Sequence, residues 1–339
     1  MMRNAVTTVA TWTMAGLLGL GTAVALGVPL RPASAPPEPE PQPSFTRSAL
    51  AERLPASRME SYDVNVRIRP LLLFWIGRED VGEATVTWRQ DGGDHRAYEF
   101  LIGSDPERVP RRINRWGFIV EEFDGDHVDV LGIMRESGEE TIEEAKAKID
   151  GESTVSTFKA ARTTISGTRA ISSVITLQAP SHLTYRDVDE VVALIPTEAP
   201  DPKAIDLPPG TKKGFLVALE TLLRSSVDTC QAGAGAKEVP PVRYLYNQTL
   251  FDLTLDSCEH EAEYQANDRV FTDVVDGRFK LRNLKTKNVM SFHIAYGTTG
   301  ELRGIPIRMM FRPRWWMEVE LELARSPAAS LTSAVPFGH

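Results

Sequence analysis

Of the chain's 339 residues, 42% are hydrophobic and 25% charged, a globular composition that excludes collagen-like, wholly disordered and polytopic membrane classes. Thirty-eight Lys and Arg against 46 Asp and Glu leave a formal charge of -8, without the basic surplus that phosphate backbones require, so no nucleic-acid partner is expected. Two cysteines can form one bridge, but neither a disulfide-dense scaffold nor a four-thiolate zinc site.

Arg3 precedes an uncharged stretch, Asn4 to Leu30, rich from Trp12 onward in Leu, Ala, Gly and Val. Residues 1–35 read as an export signal with two open fates. A helix rising about 1.5 Å per residue over this stretch could cross the roughly 30 Å hydrocarbon layer and remain as a membrane anchor. Ala33-Ser34-Ala35, and Ala23-Val24-Ala25 within the apolar run, fit the small-x-small rule for a cleaved signal peptide. Either way the remainder is expected in an oxidising periplasmic or cell-envelope space. Residues 36–54 open with Pro36, Pro37, Pro39, Pro41 and Pro43, which remove backbone donors and favour extended geometry, so they are expected to be a disordered linker.

Residues 55–326 read as one β-rich domain. Tyr62, Val64, Val66 and Ile68 alternate with Asp63, Asn65, Arg67 and Arg69, so one face can be buried. Ala84, Val86 and Trp88 repeat the pattern, and Asp91-Gly92-Gly93-Asp94 supplies turn chemistry before Tyr98, Phe100 and Ile102. Trp116, Phe118 and Val120 lead to a turn at Asp124-Gly125-Asp126 and a return over 128–134, and 154–165 with 169–178 form another pair broken at Gly167.

Three segments take the helical period. Ser137 and Glu140 make a capping box ahead of Ile142, Ala145 and Ile149, a narrow stripe for a surface helix. Asp187 to Ile195 is a second helix. Phe215, Leu216, Leu219, Leu222 and Leu223 give the third, over 215–226, a broad apolar face suited to lying across a sheet. Between the last two, Pro196, Pro200, Pro202, Pro208 and Pro209 mark 196–210 as a loop and a candidate internal boundary.

Strands resume over 244–256, 277–284, 289–296, 302–312 and 316–323, and 327–339 is expected to be a disordered tail. In the last strand Met317, Val319, Leu321 and Leu323 alternate with Trp316, Glu318, Glu320 and Glu322, which predicts one solvated face. A three-residue loop Pro313-Arg314-Trp315 would set Arg308 opposite Glu320. The fold class expected is mainly β with a few helices (α+β): a curved antiparallel sheet or open barrel covered by helices and preceded by an N-terminal apolar helix.

No nucleophile elbow, zinc-protease helix, phosphate loop, Cys-x-x-Cys or calcium loop is found, and Gly233-Ala234-Gly235-Ala236-Lys237 lacks the strand and spacing of a nucleotide fingerprint. No catalytic residue and no cofactor is assigned. Cys230 and Cys258 are expected to pair, pinning the end of the 215 helix to a strand, with about 3 to 4 kcal/mol of unfolded-state entropy removed. A metal reading of Cys258 and His260 with Glu259 and Glu261 lacks a second ligand pair. His95 and His127 fall in turns, and His293, mid-strand, reads as structural rather than as a general base. Arg108, Arg111, Arg112 and Arg115 could contact an anion, although pairing with the acidic surplus is the plainer reading. The basic alternation of Arg278, Lys280 and Arg282 reads as a solvated strand face.

Ser291-Phe292-His293-Ile294-Ala295-Tyr296, Gly300-Glu301-Leu302-Arg303-Gly304-Ile305-Pro306-Ile307-Arg308 and Glu320-Leu321-Glu322-Leu323 resemble the closing strands of bacterial exported β-rich families of unknown function. Tyr62 to Arg69 with Val81-Gly82-Glu83-Ala84 is similar to their opening. The resemblance covers about a third of the chain and implies a curved sheet like that of lipoprotein and lipid carriers, with no catalytic residues to transfer.

The leading expectation is a non-enzymatic envelope protein that binds or carries lipid or another apolar ligand, with Phe215, Leu219 and Leu222 as the lid of its cavity. An envelope hydrolase using Asp252 and Asp256, and a structural envelope-assembly protein, are the alternatives.

Overall fold

The structure, a computed structural model, describes residues 54–69, 75–91, 93–109, 112–135, 154–198, 200–232, 239–314 and 317–324. The N-terminal segment 1–35, nearly all of the linker, the capping-box helix at 137–149, Gly233 to Lys237 and the tail 327–339 lie outside the described residues.

Period-two patterning produces fourteen strands: β1 (Ala56–Ile68), β2 (Ile76–Gln90), β3 (Arg96–Ser104), β4 (Trp116–Asp124), β5 (His127–Arg135), β6 (Val155–Ser166), β7 (Arg169–Pro180), β8 (Lys203–Asp206), β9 (Val242–Tyr246), β10 (Thr249–Ala266), β11 (Arg269–Asn283), β12 (Val289–Gly297), β13 (Pro306–Arg314) and β14 (Met317–Leu323). Two α-helices are described, α1 (Val188–Ala193) and α2 (Phe215–Ala232), with a 3-10 turn at Tyr185–Asp187 leading into α1. All strands join one antiparallel sheet in the order β8-β7-β6-β5-β4-β3-β2-β1-β14-β13-β12-β11-β10-β9. The first and last strands therefore lie side by side in the middle, Val64 opposite Leu321 and Val66 opposite Val319.

Twist accumulates over so many strands and brings the two ends of the sheet together. Lys212, just beyond β8, donates its amide to the Arg243 carbonyl on β9 at 2.7 Å, and the Gln248 side chain reaches the Ser172 carbonyl on β7 at 3.3 Å. On β5, a Cβ added to Gly132 would sit 2.0 Å from the Tyr246 hydroxyl oxygen, so only glycine allows β9 to press so closely there. No ladder joins β8 to β9 among the described residues, and the curled sheet stays open.

Inward residues follow the parity of each strand: Tyr62 and Val64 on β1, Ile119 and Phe123 on β4, Val128 and Val130 on β5, Phe279 and Leu281 on β11, Val319 and Leu321 on β14. Together with Phe215, Ala218, Leu222, Leu223 and Val227 of α2 they form the main core. Opposite parity on β4 to β7 builds a second core on the outer face, where Trp116, Phe118, Leu131, Ile133, Phe158 and Leu177 pack under Leu183, Tyr185, Val188 and Val191. Thr184 caps that covering segment, its hydroxyl accepting the Arg186 amide while its own amide and hydroxyl donate to the Asp187 carboxylate.

Several expectations need correction. The strand expected over 244–256 is a hairpin that turns at Asn247-Gln248, both with positive φ (44° and 60°), and a second such turn at Asn267-Asp268 (47° and 57°) joins β10 to β11. These are type I′ geometries supplied without glycine. Residues 300–302 form a 3-10 turn, so the strand expected from 302 begins at Pro306.

The final hairpin keeps the expected faces but not the register. Arg308 pairs with Glu322 and Met310 with Glu320, two residues from the expected alignment, because the ladder is irregular between Phe311 and Arg314. Nor is one face of β14 solvated: Glu318 and Glu320 are buried at 5% and 2% exposure, covered by Arg67, Arg308 and Arg312.

Candidate ligand cavity

Helix α2 reaches the sheet through a contact that its own sequence does not supply. Its first turn holds no acidic residue, and no Ser, Thr or Asp precedes Phe215. The cap comes from β4, where Glu121 is fully buried at an inward position and its carboxylate accepts the Leu216 amide at 2.7 Å and the Val217 amide at 3.0 Å. A Cβ on Gly214 would lie 2.2 Å from the Glu121 carboxyl carbon, so glycine is required for this approach. Burial pushes the Glu121 carboxyl up to about 7, while the helix amides pull in the opposite direction.

The other end of α2 is tied covalently. Cys230 and Cys258 form a disulfide with Cα atoms 5.8 Å apart, joining the last turn to β10. Beside it the Ser226 and Tyr296 hydroxyls are 2.6 Å apart, and burial raises the Tyr296 phenol to about 12. Capped at one end and bonded at the other, α2 is held across the sheet as a fixed roof.

Under its exposed flank lies a partly open cavity of about 910 Å³. Its apolar lining comes from Val86 and Trp88 of β2, Tyr98 and Phe100 of β3, Phe123 of β4, Phe292 and Ile294 of β12, Met309 and Phe311 of β13, and Leu321 of β14. The roof contributes Phe215, Leu216, Leu219 and Leu223. Burial, ahead of the nearby Glu220 carboxylate, pushes the Tyr98 phenol up to about 12.

The three residues expected to form a lid therefore separate. Phe215 and Leu219 line the cavity, whereas Leu222 is completely buried in the main core.

The candidate anion contacts do not form a clamp on the cavity. Arg108 pairs with Asp80 at 2.6 Å and Asp105 at 3.4 Å; Arg115 is buried, Arg112 is exposed, and Arg111 lies outside the described residues. Asp252 is held by the Arg243 guanidinium through bonds of 2.7 and 3.0 Å, and Asp256 pairs with Lys280 at 2.5 Å. Neither carboxylate lines the cavity. His293 does, and burial holds its imidazole below the ordinary histidine range. His95 bonds Glu122 at 2.8 Å and His127 bonds Asp129 at 3.1 Å. Among the described residues no group of three or more His, Cys, Asp and Glu could hold a metal ion, and no helix is long and apolar enough to cross a membrane.

No family model and no curated protein matches the chain significantly. Among solved structures, the β-barrel-like protein of domain of unknown function DUF1849 from Brucella abortus is similar at 9% identity and a TM-score of 0.37, over 80% of this chain and 98% of that one.

Proposed function

We propose that this chain is a non-catalytic binding protein of an extracytoplasmic compartment, whose curled sheet and α2 receive the apolar part of a lipid-like ligand. The observation that carries the reading is the cavity itself. Most of its lining is apolar, and its volume lies near the upper end of the range for small-molecule sites. A void of that size lined by aromatic and aliphatic groups gains free energy when an apolar chain replaces water, at about 25 cal/mol per Å² of apolar surface covered. The disulfide is compatible with an oxidising, exported location.

Titration of the full chain with the neutral fluorophore N-phenyl-1-naphthylamine tests the reading. A saturable, one-to-one rise in fluorescence is expected, and Leu219→Trp, which fills the cavity from the roof, should remove it. Unsaturable fluorescence, or equal binding by the filled variant, contradicts the reading.

A further inference from the structure

The mouth of the cavity reverses the charge of the molecule. A chain of net charge -8 places Arg58, Arg89, Arg96, Arg224 and Arg303 along this one cavity, against Asp94 and Glu220. Three of these arginines, Arg58, Arg224 and Arg303, meet at the loop before β13, and Arg96 lines the same cavity from β3. Arg58 donates to the Glu301 carbonyl at 2.6 Å, two residues from Arg303, and its guanidinium lies 5.7 Å from the centre of the Trp88 ring. Arg224 lies against the same loop, since a Cβ on Gly304 would be 3.5 Å from its side chain. Arg96 sits over two lining rings, 5.8 Å from Tyr98 and 5.2 Å from Phe123.

Two of the four are already occupied by carboxylates, Arg58 by Glu60 and Arg224 by Glu220, each at 2.7 Å. Among the described residues Arg96 and Arg303 have no acidic partner, and both are exposed. Each holds a planar set of donors that fits a carboxylate or a phosphate, at the edge of an apolar chamber. Arg96 rests on the faces of lining aromatics, so a head group bound there would be continuous with a chain inside.

We infer that the cavity selects anionic amphiphiles, with the chain under α2 and a carboxylate or phosphate head between Arg96 and Arg303. This inference rests on the cavity-binding reading and adds the charge of the ligand to it.

The test is displacement of N-phenyl-1-naphthylamine from the full chain at pH 8 and low salt, below any micelle concentration. The competitors are dodecanoate, dodecyl phosphate and dodecanol, with acetate and inorganic phosphate as head groups alone. Both anionic amphiphiles should displace the probe at concentrations about tenfold below dodecanol, while the bare head groups displace nothing at those concentrations. In the double variant Arg96→Gln, Arg303→Gln the ratio of anionic to neutral displacement, measured on that one protein, should fall to near one; Arg282→Gln, exposed on the outer face of β11 and paired with no cavity-lining residue, should preserve it. Agreement of both amphiphiles marks a general anion preference, and preference for one assigns the head group. Equal displacement by dodecanol and the anions in the wild type, or a ratio that survives the double variant, overturns the inference and leaves the cavity reading intact. A probe that never binds removes both.

Discussion

The two halves of the sheet solve the problem of an open β surface in different ways. From β4 to β7 both faces are buried: Ile119 and Val130 point into the main core, while Trp116, Leu131 and Phe158 point outward beneath the segment ending in α1. From β10 to β14 only the inner face carries a core, and the outer face is charged, with Arg278 and Arg282 exposed and Glu318 and Glu320 drawn under arginines. One half is held by two layers of packing, the other by one layer, ion pairs and a disulfide. Helix α2 belongs to both, since β4 caps it and β10 is bonded to it. A cavity at this junction can therefore be roofed by a rigid helix while its walls come from strands far apart in sequence.

Substitutions on the two outer faces should break this symmetry most strongly. Trp116→Ala removes a fully buried ring whose centre lies 5.2 Å from that of Phe158, and is expected to cost about 3 to 5 kcal/mol in urea denaturation. Thr254→Ala, on the outer face of β10, gives up one long hydroxyl bond to the Lys280 carbonyl and should cost about 1 kcal/mol or less. Similar costs at the two sites would erase the distinction. Next in size is the disulfide: Cys230→Ser with Cys258→Ser should lose about 3 to 4 kcal/mol, and reduction of the wild type should reproduce that loss. Unchanged denaturation on reduction would show that the single-layered half does not depend on its covalent tie.

Glu121 gives a comparison in pH. Its carboxyl rises from an ordinary 4.5 to about 7 in the folded chain, so the folded state binds the extra proton between those values. The associated stability is fully present below pH about 4.5 and is lost as pH rises through about 7, about 3 kcal/mol in all. Glu121→Gln keeps the shape and cannot titrate. Subtracting its stability curve from that of the wild type should leave a decline across this window, and a flat difference would rule out a titrating cap. A last pair of substitutions separates roof from core. Leu222→Ala should cost about 2 to 5 kcal/mol, as for a packed core leucine, whereas Leu219→Ala, half-buried at the cavity, should cost about 1 kcal/mol or less.

Much of the inner surface was legible in the sequence because alternation is local: Tyr62, Val64 and Val66, or Met317, Val319 and Leu321, declare a buried face without reference to any partner. The helix of Phe215 and Leu219 was legible for the same reason. Turns at Asn247-Gln248 and Asn267-Asp268 were missed because their positive φ angles rest on Asn, Asp and Gln rather than on the glycine that usually marks them. The hairpin register slipped by two because an irregularity after Phe311 is not encoded in face parity, which both alignments satisfy.

Glu121 was hidden for a deeper reason. Its partners lie 95 and 96 residues further along the chain, and only the curl of the sheet brings them together. Two signals could have found it: a carboxylate at an inward position between Ile119 and Phe123, and a helix beginning at Gly214-Phe215 without a cap of its own. The place of Arg96 and Arg303 on one cavity was hidden in the same way, since β3 and the loop before β13 are far apart in sequence.

Entry of an apolar chain beneath α2 is tested most directly by the fluorescence of Trp88, which lines the cavity. Quenching requires near contact, so a dodecyl chain brominated near its end should quench the tryptophan emission of the wild type saturably. The quenched component should disappear in Trp88→Phe. Quenching that is unsaturable, or that persists undiminished in Trp88→Phe, would contradict the assignment of the cavity as the binding site.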